Sequence, residues 1–162
     1  MKKLLATSIV LLCTIVTMKA QDIADNAIGL RFGGGNGIGI EISYQLKMSD
    51  ATRLEMDLGY KNNSKDNYNS FKLTGLYQWV WAIDNRGLNW YAGVGAGVGS
   101  LNGNKNDNVN EGAFLNADGV VGIEYDFDAP ILISLDLRPE LGVLGNSGDF
   151  DFDLALSVRY QF

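Results

Sequence analysis

The chain has 162 residues, 46% hydrophobic and 20% charged, with 19 carboxylates against 13 lysines and arginines. That length suits one domain, and a formal net charge of −6 speaks against a nucleic-acid partner, because phosphate binding needs a basic face. There is no histidine, which removes the usual general base, the Ser-His and Cys-His nucleophile pairs and the commonest metal ligand.

The amino end reads as a targeting segment. Met1-Lys2-Lys3 is basic, Leu4 to Val16 is apolar, and Thr17-Met18-Lys19-Ala20 precedes Gln21. Such a run is short for a spanning helix and has the parts of a secretory signal peptide. Residues 1–20 are expected to be removed after Ala20, although Met18 is larger than the small residue usual there. Cys13 is the only cysteine. It follows Leu12, where a lipoprotein signal needs a small residue, so the mature domain, residues 21–162, carries no thiol and no disulfide framework. Loss of Lys2, Lys3 and Lys19 takes the net charge to about −9.

From Gln21 onward the hydrophobic period is two. Ile38, Ile40, Ile42, Tyr44 and Leu46 alternate with Gly39, Glu41, Ser43, Gln45 and Lys47, and Leu54, Met56, Leu58 and Tyr60 with Arg53, Glu55, Asp57 and Gly59. That pattern makes strands and lacks the three-and-four spacing of a helix. Strands are predicted near Ala27–Gly34, Ile38–Lys47, Arg53–Lys61, Tyr68–Trp79, Leu88–Ser100, Ala113–Phe127, Ile131–Glu140 and Phe150–Phe162. A tilted membrane strand needs roughly nine to eleven residues. The connections alternate in character. Met48–Thr52, Val80–Gly87 and Asp128–Pro130 are short turns; Asn62–Asn67 and Leu101–Gly112 are longer and rich in Asn; Gly145–Gly148 is a glycine-rich tip; Gly34–Gly37 is the short exception. If the first strand starts in the periplasm, the longer connections fall outside, as in outer-membrane barrels.

The polar face of these strands carries full charges of both signs: Arg31, Glu41, Arg53, Glu55, Asp57, Lys72, Glu124, Asp136, Arg138 and Arg159. A soluble barrel turns its apolar face inward and a membrane barrel reverses this; periodicity alone does not say which. Three features favour the membrane. Aromatic residues fall at both strand ends: Trp79, Trp90, Phe127, Tyr160 and Phe162 at one, and Phe32, Tyr60, Tyr68, Phe71, Phe150 and Phe152 at the other, as two interfacial belts would. Arg31 and Glu41 are symmetric about Asn36, so a hairpin centred there sets them opposite each other. A buried charge must be paired, and an ion-paired interior is expected. Finally, Gly93, Gly95, Gly97 and Gly99 share one side of a strand, where they would make room for a bulky interior group such as Tyr91 or Arg138; Ala92, Val94, Ala96 and Val98 on the other side suit lipid.

Two further motifs bear on chemistry. Gly33-Gly34-Gly35-Asn36-Gly37 lacks the Lys-Ser/Thr ending and the following helix of a phosphate loop, and reads as a hairpin. Asp149, Asp151 and Asp153 share a face at the outer rim; oxygen ligands of this kind suit a divalent cation, and a solvated acidic rim is the preferred reading.

The last strand, Leu154-x-Leu156-x-Val158-x-Tyr160-x-Phe162, ends in Phe. It resembles the terminal signal of bacterial outer-membrane proteins, which in that family is read by the barrel-insertion machinery. With the leader and strand count, the chain looks like a small OmpX-like barrel, related in architecture to the OmpA transmembrane domain, across nearly all of its mature length. The resemblance implies an all-β, eight-stranded antiparallel up-and-down transmembrane barrel, integral to the outer membrane of a Gram-negative bacterium and in contact with lipid and lipopolysaccharide. The OmpA peptidoglycan tether is not expected after Phe162. Known barrel lipases, deacylases and proteases resemble one another in relying on histidine, so no catalytic residue carries over. An acid–base pair among Glu41, Glu55, Asp57 and Glu124 is the weaker reading of those carboxylates. The expectation is a structural or surface-interaction protein with a closed interior, no cofactor, no metal and no catalytic activity, its surface ligand unknown. The alternative is a soluble secreted or periplasmic lipocalin-like barrel around a small lipophilic ligand.

Overall fold

The computed structural model describes residues 23–33, 39–63, 68–84, 86–103, 112–145 and 150–162. The expected leader, the connections 34–37, 64–67 and 104–111 and the tip residues 146–149, Asp149 among them, lie outside these. Eight strands follow one another: β1 (Asn26–Gly33), β2 (Gly39–Ser49), β3 (Thr52–Asn63), β4 (Tyr68–Ala82), β5 (Leu88–Gly103), β6 (Gly112–Asp126), β7 (Ile131–Leu144) and β8 (Phe150–Gln161). Each pairs antiparallel with the next, and β8 returns to β1, closing the barrel. Closure removes the free sheet edges that would otherwise present unpaired backbone groups.

All eight predicted strands are present, and the differences are at their ends. β4 runs on through Val80, Trp81 and Ala82, which pair with Tyr91, Trp90 and Asn89. Val80 and Trp81, branched and aromatic, favour the strand and extend the ladder past the predicted end at Trp79. β7 runs on to Leu144 through Pro139. The β6–β7 ladder pairs Asp118 with Glu140 and then Val121 with Leu137. The gap lies opposite Pro139, which has no amide hydrogen to give.

Both described termini and the β2–β3, β4–β5 and β6–β7 turns lie at one end of the barrel, the turn end; the other four connections leave from the loop end. Asn26 and Phe162 exchange two backbone hydrogen bonds, at 3.1 and 2.9 Å, and so close the β1–β8 seam at the turn end. In the β4–β5 turn, Asp84 Oδ1 accepts from the amides of Arg86 (2.9 Å) and Leu88 (3.1 Å). Gly87 there has φ = 101°, and a Cβ at that position would strike the carbonyl oxygen of Asp126. Only glycine tolerates both constraints.

The side-chain arrangement is inverted relative to a soluble barrel. Arg31 and Arg138 are 0% exposed, whereas Leu58 is 52%, Val94 59% and Leu156 49% exposed. Among the described residues the buried set holds seventeen polar or charged side chains and eight hydrophobic ones. An apolar wall therefore encloses a polar interior.

Candidate functional site: the charged lumen and the apolar wall

Period-two alternation sends every second side chain of each strand into the lumen. The register does the rest. Arg31 is paired with Glu41 across the first hairpin, and its guanidinium meets Glu41 (2.9 Å), Asp136 (2.7 Å) and Asp153 (2.5 Å). Arg138 meets Asp57 (2.6 Å), Glu55 (3.4 Å) and Glu41 (3.4 Å). Arg159 meets Glu55 (3.1 Å) and donates to the hydroxyls of Ser43 (3.0 Å) and Ser134 (2.8 Å). Arg53 forms a two-pronged pair with Glu124 (3.1 and 2.7 Å), donates to Gln78 (2.7 Å) and lies 4.8 Å from the centre of the Tyr91 ring. Lys72 lies 2.5 Å from Glu140 and 3.7 Å from Asp118. Each of the ten charges singled out in the sequence thus faces the lumen beside a charge of opposite sign. Arginine suits this role because its planar fork satisfies two or three carboxylates at once.

Several members of this lumen were not among the ten charges singled out in the sequence, although Tyr91 was read as an interior group and Asp153 as part of the rim. Tyr91 donates to Asp136 (3.2 Å) and Gln45 to Glu55 (2.5 Å); Asp118, Glu140 and Asp153 complete the ion pairs above. Strand parity would have placed them inside, but only the barrel decides which strands face each other across it.

The rim reading is met in part, and the glycine reading is changed. Asp153 is held by Arg31, Asp151 is exposed and accepts from the amide of Phe152 (2.8 Å), and Asp149 is outside the described residues. Among the described residues no group of three or more acidic, His or Cys side chains is placed to hold a metal ion. The β5 glycines do face the lumen, and the groups nearest to them are others than Tyr91 and Arg138. A Cβ at Gly97 would stand 2.6 Å from Lys72 Cε and 2.7 Å from Asp118 Oδ2; at Gly93 it would crowd Gln78, and at Gly99 the Phe114 ring. Tyr91 lies on the same strand face as these glycines. It takes its space from its cross-strand partner Gly122, where a Cβ would be 2.6 Å from Tyr91 Cζ.

Among the described residues, cavities flank the ion pairs at both ends. One at the loop end, of about 110 Å³, is lined by Glu41, Lys72, Glu140, Asp151 and Asp153. One at the turn end, of about 10 Å³, is bordered by Arg53, Asn89, Glu124 and Leu132 and has room for about one water. Neither is the large apolar cavity that a lipocalin-like reading requires.

The wall carries aromatic residues at both ends. At the loop end Tyr60 and Phe71 rings lie 4.9 Å apart and Phe150 and Phe152 4.6 Å; Phe32 is also on the outside. The side chain of Tyr68 lies outside the described residues. At the turn end Trp81 stacks on Trp90 at 4.3 Å, Tyr77 meets Trp79, Tyr125 meets Phe127, and Tyr160 stacks on Phe162. Trp81, Tyr77 and Tyr125 add to the residues named from the sequence. The apolar set Leu154, Leu156, Val158, Tyr160 and Phe162 of the last strand faces outward and is exposed.

No family model matches the sequence, and no curated protein does. The solved structures do match. The N-terminal β-barrel domain of Pseudomonas aeruginosa OprF superposes with a TM-score of 0.74 at 14% identity, over 89% of this chain and 100% of that one. Neisserial surface protein A gives 0.61 at 11% identity, over 85% and 94%. The chain folds as a small outer-membrane-type β-barrel, OmpX- and OmpA-like in architecture. The outer membrane enzyme PagL gives 0.53 at 13% identity, over 84% and 99%. The outer-membrane-type fold thus serves an enzyme as well, and fold alone does not decide function.

Proposed function

We propose that the protein is an integral outer-membrane barrel with a closed interior, a structural or surface-interaction role and no catalytic activity. The observation that carries this reading is the inversion of the barrel: apolar side chains exposed around the wall and arginine–carboxylate pairs buried within. In water such a wall would leave Ile42, Leu58, Leu73, Val94, Ile123, Leu135 and Leu156 exposed on successive strands, a continuous apolar surface far beyond an ordinary soluble protein's patches. In a bilayer that surface is solvated by acyl chains, and the aromatic residues sit at headgroup depth. The turn end then faces the periplasm and the loop end the outside.

Removal of residues 1–20 rests on the basic and apolar make-up of the amino end; recognition of the Leu154–Phe162 signal by the insertion machinery and contact with lipopolysaccharide rest on the resemblance. Absence of catalysis is supported by the lack of histidine and by the engagement of Glu41, Glu55, Asp57 and Glu124 in ion pairs with arginines. The Asn-rich stretches Asn62–Asn67 and Leu101–Gly112 are the parts that would meet the environment.

Cell fractionation with a carbonate wash tests the location. Retention in the washed outer-membrane pellet is expected. Release into the periplasmic or culture fraction would overturn the reading, since the apolar wall would then need another partner.

A further inference from the structure

The lumen is not polar throughout. Leu76 and Val80 on β4, Val120 on β6 and Leu132 on β7 point inward and are almost completely buried. Leu76, Val80, Val120 and the ring of Tyr91 form one apolar cluster, and its fifth member is Ile23, which precedes the first strand. Ile23 is 8% exposed, while Asp25 two residues later is exposed. The backbone fixes this course. Lys47 donates its amide to the Asp25 carbonyl (2.9 Å), and Asn26 is locked to Phe162. With the chain held there, residue 23 lies inside the turn end, beside Ala27 and Leu132.

We infer that Ile23 is a stopper: the segment ahead of β1 turns into the barrel and seals its inner mouth, seated on the Leu76–Val80–Val120 collar. Tyr91 belongs to the same cluster, and the Arg53–Glu124 pair borders the turn-end cavity beside Ile23. Without Ile23 the collar would face water at the mouth, an exposure that the hydrophobic effect opposes. The stopper also shields Arg53 and Glu124 from exchange with water, which keeps that ion pair in a low-dielectric setting. This proposal rests on the closed-barrel reading but not on the membrane location, and its test is run on purified protein in detergent.

Val80→Cys is a near-isosteric reporter in the collar, made with Cys13→Ser so that it is the single thiol. Asp50→Cys in the exposed β2–β3 turn gives the rate for a fully accessible site. With Ile23 present, a bulky water-soluble maleimide is expected to label Val80→Cys at least about tenfold more slowly than Asp50→Cys. Ile23→Gly should remove most of that protection, Ile23→Ala part of it, and Ile23→Leu should keep it. Folding of each variant is read from its heat-dependent shift on a denaturing gel. Equal labelling in all four proteins, whether fast or slow, would overturn the stopper. Should Ile23→Gly not fold, the comparison of Ile23→Ala with Ile23→Leu decides alone. Recovery of the native chain in a soluble cell fraction would instead defeat the membrane reading and leave this test standing.

Discussion

Arg138 is where the largest single-residue effect is expected. Its side chain is fully buried and faces Asp57, Glu55 and Glu41. Replacing it by Met leaves three carboxylates without one of their counter-charges. Breaking a buried pair in this way costs about 3–5 kcal/mol. Urea unfolding of the Arg138→Met protein in lipid vesicles, followed by tryptophan fluorescence, should show a loss of that order. Arg138→Met combined with Asp57→Leu should recover much of it, because an apolar pair carries no desolvation cost. At the other extreme of burial, the Asp84 carboxylate is held below the usual carboxylate range by hydrogen bonds from the amides of Arg86 and Leu88. A depressed folded-state pKa stabilises the turn above the unfolded value and loses that contribution as the pH falls through the folded one. Amide exchange at Arg86 and Leu88, corrected for its intrinsic pH dependence, should therefore quicken only below about pH 4, and Asp84→Asn should show no such transition. Arg31 and Glu41 were legible as a pair from their symmetry about Asn36. The partnership of Arg31 with Asp136, 105 residues away, was not, because nothing local links strands that meet only across a lumen.

At the scale of elements, the strands follow from alternation and the turns from their chemistry. β4, which runs three residues past its predicted end, is instructive. Its outward face carries Leu73, Gly75, Tyr77 and Trp79, but its inward face mixes Lys72, Thr74 and Gln78 with Leu76 and Val80. Alternation blurs there because the inward apolar residues form the collar instead of joining the ion pairs. The same strand holds two of the chain's three tryptophans, Trp79 and Trp81, and β5 holds the third, Trp90. All three lie at the turn end. Brominated lipids in reconstituted vesicles should quench the tryptophan emission strongly when bromine is near the headgroup and weakly when it is at the acyl-chain end. Equal quenching at both depths would contradict an interfacial belt at that end.

The whole molecule combines a filled lumen with an apolar wall. Eight strands enclose an interior just wide enough to be filled by side chains. Here four arginines, their carboxylate partners and Tyr91 occupy it, with cavities of about 110 and 10 Å³ near the two ends. No continuous water path is expected. Planar-bilayer recordings of the reconstituted protein should therefore lack stable, large conductance steps; their appearance would mean that the ion pairs rearrange to open a pore. The agreement with the OprF barrel at 14% identity has a physical basis. Closure, strand number and inside-out polarity constrain residue class at each position and leave residue identity largely free.

From the sequence by itself came the strand count, the alternation within each strand and the set of charges that must find partners. Local backbone geometry and the cost of an unpaired buried charge act on short stretches of chain, so they leave their mark there. Aromatic belts, charges of both signs and the glycine face pointed to an outward apolar face, but the tertiary structure decided it, because period two is the same pattern whichever face is buried. It decided too that Arg31 reaches Asp136 and Asp153, that Gly122 makes the space for Tyr91, and that Ile23 turns into the lumen. Each of these depends on which residues a closed ladder brings to the same height across the barrel, a quantity fixed by register and closure and carried by no single segment.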